Sequence, residues 1–333
     1  MAQALAERCR AAMEQELQRL LNFPVAPGSA DCVAPMLHHH MGWDAHAPLA
    51  AGKRTRALLV LLCAGASGGR WQRALPVAAA VELAHNFSLV HDDIQDGSTL
   101  RRGRPTVWSV WGRAQGINAG DALFAHAHLA LARAAQLPPA MRVRALELLG
   151  AACVELTAGQ QLDLAFESEA LVQPEQYLRM AHGKTAALLA AAAEMGALAG
   201  GATARVRAHY RSFGAQLGIA FQIRDDLLGI WGTGASGKSV ASDIESRKKT
   251  LPLVYGCSVS PALASAYRPR AQGGAGTAEI IALLEQAGAR AYTEAREQAA
   301  ARAAEAQLLL ASPRGVAGRA LRVLTAQLLG RAA

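Results

Sequence analysis

The sequence predicts an all-α protein, and three observations carry that prediction. Hydrophobic residues make up 52% of the 333 positions, with Ala and Leu, both strong helix formers, dominant. Alternation of β-branched with polar residues, the mark of a half-buried strand, is scarce. Apolar residues instead recur at helical steps, as at Leu5, Cys9, Met13, Leu17 and Leu21, four apart among charges. That stripe predicts an N-terminal amphipathic helix within residues 1–23, and its charges argue against a signal peptide.

The next informative stretch runs from Leu83 to Arg104. It reads Leu-Ala-His-Asn-Phe-Ser-Leu-Val-His-Asp-Asp-Ile-Gln-Asp and then Gly-Ser-Thr-Leu-Arg-Arg-Gly-Arg. The apolar residues suit a helix, on which Asp92 and Asp96 stand four apart, one above the other. Carboxylates so placed repel each other unless a hard cation sits between them. With Asp93 beside them they suit Mg²⁺, which takes one or two carboxylates together with substrate phosphates. The following turn carries Arg101, Arg102 and Arg104, whose guanidinium forks match phosphate oxygens. A solvated helix end could look alike, but these acids follow an apolar run, and carboxylates near a core are rarely left unpaired. A second helical run, Gly214 to Asp226, again delivers adjacent acids, Asp225 and Asp226. Two such helices face to face would rim a central cavity with acid.

Seven segments occur in order: Gly-Lys-Arg-Thr-Arg (52–56), His-Asp-Asp-Ile-Gln-Asp (91–96), Leu-Arg-Arg-Gly-Arg-Pro (100–105), Gly-Gln-Gln-Leu-Asp-Leu (159–164), Gly-Lys-Thr (183–185), Phe-Gln-Ile-Arg-Asp-Asp (221–226) and Gly-Lys (237–238). The set resembles that of the trans-isoprenyl diphosphate synthases over about residues 40–255. The resemblance implies one isoprenoid-synthase-like helical domain over residues 1–333, with C-terminal helices over 277–333 flanking the motif-bearing core. It implies condensation of isopentenyl diphosphate, head to tail, with dimethylallyl, geranyl or farnesyl diphosphate. Asp92, Asp96 and Asp225 would hold Mg²⁺, three ions per active site, with Asp93 and Asp226 as nearer or outer partners. Arg101, Lys184 and Lys238, with Lys248, would grip the allylic diphosphate; Lys53, Arg56, His85 and Arg102 would bind isopentenyl diphosphate without metal. Lys184, Thr185, Gln222 and Gln160 would face the allylic cation. The family is usually homodimeric.

Other features fit this expectation or are set aside by it. The five lysines, Lys53, Lys184, Lys238, Lys248 and Lys249, all lie in or near these motifs, where a compact ammonium suits diphosphate. The net charge of +8 is spread over single arginines without a basic block, which disfavours nucleic acid. Cys9, Cys32, Cys63, Cys153 and Cys257 are far apart and odd in number, as in a reducing cytoplasm. Thr185–Ala202 is apolar enough to be mistaken for a membrane span, but Glu194 and its Ala content make it a buried core helix. Loops are expected at Pro24–Pro35, Gly232–Ser239 and Ser258–Gly276. Gly232–Ser239 matches the P-loop pattern, but it follows a helical run where a P-loop needs a strand. The consecutive His38, His39 and His40 would point apart on a helix and hold no common ion.

Two finer expectations concern this chain in particular. Gly229 stands where the second acidic motif commonly ends in a third aspartate, which lowers the expected metal affinity on that side. A product growing away from Asp92 would pass the small residues Ser88 and Ala84, with Phe87 bulky beside that lane, a pattern resembling the geranylgeranyl (C20) type; C15 and C25 products are the alternatives. A class I terpene cyclase would need an Asn-Asp motif, and none of Asn22, Asn86 and Asn118 precedes Asp. A non-catalytic subunit of a heteromeric synthase is the remaining alternative, with Gly229 its only hint.

Overall fold

The computed structural model describes residues 1–22, 30–44, 52–232, 242–267 and 274–330. Helices carry these residues almost entirely, as the composition predicts. The chain packs as two compact units.

The first unit comprises Met1–Gly150, Ala191–Tyr210 and Ala311–Leu324. It opens with α1 (Ala2–Leu21), which buries Cys9, Met13 and Leu17 of the expected stripe. Next come α2 (Ala30–Met41), α3 (Thr55–Ala66) and α4 (Leu75–Gln95). Pro76 opens α4, a position where the missing N–H costs nothing. α3 is buried from Ala57 to Ala64. A short hairpin follows, β1 (Leu100–Arg101) paired antiparallel with β2 (Arg104–Pro105), then α5 (Val107–Trp111) and α6 (Arg113–Ala132), which packs along α4. The hairpin is absent from the all-helical expectation. Its two central residues, Arg102 and Gly103, both have positive φ (53° and 75°), as a tight two-residue hairpin turn requires.

Two helices begin in this unit: α7 (Pro139–Ser168), whose second half belongs to the other unit, and α10 (Ala204–Trp231), which leaves it after Tyr210. The segment 191–199 of α9 (Ala187–Ala199) crosses α3 at backbone distance. A Cβ at Gly196 would lie 2.3 Å from the Val60 carbonyl oxygen, and one at Gly200, just past the helix, 2.5 Å from that of Ala64. Within the expected Thr185–Ala202 stretch the α-helix is Ala187–Ala199 and is buried through Leu198, while Gly200–Ala202 lie past its end; no helix among the described residues is long and apolar enough to cross a membrane.

The second unit comprises Ala151–Ala190, Arg211–Leu310 and Thr325–Ala333. It includes α8 (Pro174–Ala181), a π turn over His182–Ala186, α11 (Ser242–Glu245), α12 (Leu251–Val259), α13 (Pro261–Ala266), α14 (Thr277–Gln286) and α15 (Ala289–Leu310), while α16 (Gly315–Leu328) has its last residues here. One apolar cluster gathers Phe166, Tyr177, Met180, Ile223, Leu251 and Val254; another gathers Ile230, Ile244, Leu253, Leu263, Ile280 and Leu284.

Two loop expectations need correction. The prolines predict a loop over Pro24–Pro35, yet α2 starts at Ala30 and contains Pro35. Burial of Met36, Leu37 and Met41 outweighs the one backbone bond the proline removes. Ser258–Gly276 is also partly helical: Ser260 caps α13, accepting from the Leu263 N–H at 3.2 Å, and Pro261 takes the first helical position. The Gly232–Ser239 loop lies almost wholly outside the described residues, but what precedes it is the helix α10 and not a strand, so the P-loop match has no structural context.

Candidate active site

In the first unit the acids stand at the end of α4. Asp96 is its C-cap, and Asp92 lies one turn earlier. Asp93, beside it, is buried. Its Oδ1 accepts from Nε and Nη2 of Arg101, both at 2.8 Å, while Arg101 Nη2 stands 3.8 Å from Asp92 Oδ2. Burial raises the Asp93 carboxyl to about 6 against the opposing pull of Arg101. Asp93 thus anchors the hairpin to α4, while Asp92 is half-buried and Asp96 exposed.

A second group of cations sits beside these acids. Gly52 has φ of +76°, and a Cβ there would lie 2.3 Å from Nη1 of Arg102, so only glycine lets that guanidinium rest on the chain. Arg56 Nη1 lies 3.1 Å from His85 Nε2. A guanidinium only donates, so Nε2 accepts. Burial, then Arg56, Arg102 and Arg101, hold the His85 imidazole well below the ordinary histidine range, and it is neutral at pH 7. Lys53 is exposed. The three consecutive histidines diverge as expected: His38 meets Asn22, His39 meets Asp44 and the Pro105 carbonyl, and His40 meets Asn86 at 3.1 Å.

Of the product-length residues, Ala84 is buried and Ser88 Oγ donates to the His85 carbonyl at 2.7 Å. The Phe87 ring meets Phe124 of α6 edge-on at 5.0 Å and His91 at 5.9 Å.

In the second unit a close helix crossing positions Lys184 and Thr185. A Cβ at Gly159 of α7 would lie 2.1 Å from the Lys184 nitrogen and 2.6 Å from the Gly183 carbonyl carbon, so α7 and the π turn touch through backbone. π turns are frequent at functional sites because they re-aim side chains. Lys184 Nζ lies 2.5 Å from Asp163 Oδ2, one turn beyond Gly159. Thr185 Oγ1 donates to Gln222 Oε1 at 2.7 Å, and Gln222 Nε2 donates to Asp226 Oδ1 at 3.1 Å. Asp226 Oδ2 accepts from the Tyr177 hydroxyl in a short bond and from the Leu251 N–H at 2.9 Å. Burial raises its carboxyl to about 6, opposed by those donors and by Lys248.

Asp226 is therefore the interior anchor of a chain of bonds ending at Thr185, and exposed Asp225 is the acid open to solvent. Gly229 does not leave its face of α10 without an acid. A Cβ there would lie 2.0 Å from Asp243 Oδ2, so the Asp243 carboxylate occupies the space of the missing side chain, one turn past Asp225. Lys248 is exposed, and Gln160 is half-buried on α7. Lys238 lies outside the described residues.

Sequence reasoning assigned no role to Glu14, Arg54, Glu82, Asp163, Tyr177 or Asp243. Asp163 and Arg54 lie inside the seven ordered motifs, which is the only signal that marks them. The others act from distant positions.

The polyprenyl synthetase family model matches residues 45–284. The chain is 44% identical over 259 residues to a geranylgeranyl diphosphate synthase of Mycobacterium tuberculosis, covering 76% of this chain and 72% of that one. It is 46% identical over 226 residues to a (2E,6E)-farnesyl diphosphate synthase of the same organism, covering 66% of this chain and 62% of the relative. Among solved structures, the polyprenyl synthetase of Streptomyces coelicolor A3(2) superposes with a TM-score of 0.87 at 35% identity, covering 98% and 99% of the two chains. The geranylgeranyl pyrophosphate synthase of Corynebacterium glutamicum, complexed with isoprenyl diphosphate and magnesium, gives 0.82 at 28% identity, covering 98% of each. The match over residues 45–284 and these identities show that this chain belongs to the polyprenyl synthetase family, the trans-isoprenyl diphosphate synthases.

Proposed function

We propose that the protein condenses isopentenyl diphosphate head to tail with allylic diphosphates to give an all-trans C20 product, geranylgeranyl diphosphate. The observation that carries the reading is the neighbourhood, within one unit, of carboxylates suited to a metal and cations suited to a metal-free diphosphate. Asp92 and Asp96 end α4 beside Arg101, and Arg56, His85 and Arg102 gather next to them. A reaction that ionises one diphosphate and spares the other needs both kinds of place.

The residues present fit magnesium. Asp92 and Asp96 offer hard oxygen ligands on one helix end, and Asp225, with the Asp243 carboxylate filling the space over Gly229, offers them on the other unit. Within its own unit each set would hold Mg²⁺, which would supply charge neutralisation to a leaving diphosphate. Lys184 would bind that diphosphate on release from Asp163, with Lys238 and Lys248 as further cations. Lys53, Arg56 and Arg102 would bind isopentenyl diphosphate, with neutral His85 as a hydrogen-bonding partner.

The allylic C–O bond breaks to give a cation, and the isopentenyl double bond forms the new C–C bond. A proton then leaves to the departed diphosphate. The Thr185–Gln222 pair, oriented by Asp226 and Tyr177, would aim oxygen dipoles at the cation. A homodimer in the cytoplasm is part of the proposal, and the free state of all five cysteines supports the compartment.

The test is incubation of purified protein with Mg²⁺, isopentenyl diphosphate and each allylic primer, followed by chromatography of the dephosphorylated alcohols. Geranylgeraniol is expected, and its loss on adding EDTA. No elongation with any primer would refute the reading.

A further inference from the structure

The segment that carries Lys53 and Arg56, a short loop running into the first turn of α3, is held by a residue that faces the other way. Arg54 is 5% exposed and has left-handed backbone (φ 47°, ψ 38°) as the N-cap of α3. A residue with a side chain adopts that conformation only where its surroundings over-determine it. Here they do. Arg54 Nε donates to Glu14 Oε2 at 3.1 Å, and Nη2 donates to Glu14 Oε1 at 3.3 Å and to the Met41 carbonyl at 3.2 Å. The indole N–H of Trp43 donates to the same Glu14 Oε1. On the far side, Arg54 Nη1 stands 3.6 Å from buried Glu82 Oε1, while Glu82 Oε2 accepts from the Ala57 N–H at 3.4 Å, at the start of α3.

Glu14 lies on α1, forty residues earlier in the chain, and its fork-to-fork bond with Arg54 fixes a plane as well as a distance. Lys53 precedes Arg54 by one residue and Arg56 follows it by two, so a rotation of the Arg54 backbone moves both. The Arg102 guanidinium, reaching over from the hairpin, rests on Gly52 at the start of the same segment.

We propose that Glu14 of the N-terminal helix is a positioning residue for the homoallylic diphosphate site, acting through Arg54 to hold residues 52–56, the start of α3 and the loop before it, in their binding conformation. The proposal rests on the reading of Lys53, Arg56 and Arg102 as ligands of isopentenyl diphosphate. α1 is then part of the substrate site and not only a cover for the core.

The test compares wild type with Glu14→Gln, which keeps the shape and loses the charge, and with Trp43→Phe, which leaves the charge and removes one donor. Two readouts are needed: KM for each substrate with kcat, and the Kd of isopentenyl diphosphate alone, without Mg²⁺, by calorimetry. Glu14→Gln is expected to raise both the KM and the Kd for isopentenyl diphosphate about tenfold, the scale of one charge-assisted hydrogen bond. The allylic KM should stay within about twofold. Trp43→Phe should shift the same constants in the same direction by less.

An unchanged Kd in Glu14→Gln would overturn the proposal, as would an equal rise for both substrates, which a merely structural contact would produce. Elongation by wild type together with an unchanged isopentenyl diphosphate Kd in Arg56→Gln would instead sink the reading of residues 52–56 as part of the binding site, and this proposal with it.

Discussion

Replacing Gly159 with alanine tests whether the backbone crossing of α7 and the π turn sets the position of Lys184 and Thr185. The added Cβ would lie 2.1 Å from the Lys184 nitrogen, 2.6 Å from the Gly183 carbonyl carbon and 2.9 Å from the Gly183 Cα, where ordinary contact begins at 3.4 Å. All three neighbours are backbone or the Cα itself, so no flexible side chain can yield, and the segments must part by about 1 Å. Overpacking of this kind costs about 1–3 kcal/mol of stability. The displacement falls on the residues that carry Lys184 and Thr185, and misplacement by about 1 Å costs on the order of 10²-fold in rate. Urea unfolding followed by circular dichroism reads the first effect, and steady-state kcat with saturating substrates reads the second. The expected result is a folded protein with a lowered midpoint and kcat reduced about a hundredfold. A variant that keeps kcat within about threefold while losing the expected stability would refute the claim that this crossing positions the residues.

Two further predictions follow from single contacts. Phe87→Ala removes the ring that meets Phe124 edge-on, and the alcohol profile should move to chains longer than C20; an unchanged profile would leave Phe87 a packing residue. His40 gives a pH dependence. Burial, then Arg101 and Arg102, push its pKa down to about 3, against about 6.5 in the unfolded chain. The unfolded state therefore takes up the proton first, so this stabilisation is full above about pH 6.5 and is lost as pH falls toward 3. Between pH 6 and 5 the His40→Gln variant should lose about 1 kcal/mol less stability than wild type in urea titrations; equal losses would contradict the assignment.

The helical class, the N-terminal stripe and the two acid-bearing helices were legible in the sequence, because helical periodicity and the i,i+4 placement of Asp92 and Asp96 are local properties. The divergence of His38, His39 and His40 was legible for the same reason. What local pattern could not reach was which member of each acidic pair faces inward. Asp93 is turned to Arg101 and Asp226 to Tyr177 and the Leu251 N–H, partners up to 49 residues away that exist only once the helices pack. Proline and serine misled at Ala30–Met41 and Pro261–Ala266, because burial and capping outweigh their loop preference.

Gly229 shows the division most clearly. The sequence determined that one carboxylate is missing from α10, since residue identity is all that statement needs. Only the tertiary structure decided that Asp243, fourteen positions on, fills its place, since a carboxylate's position in space depends on how the chain returns and not on where it stands in the order of residues. Glu14 and Arg54 make the same point: each is an ordinary charge in the sequence, and their pairing exists because α1 packs beside the start of α3, where a buried guanidinium must meet an acid.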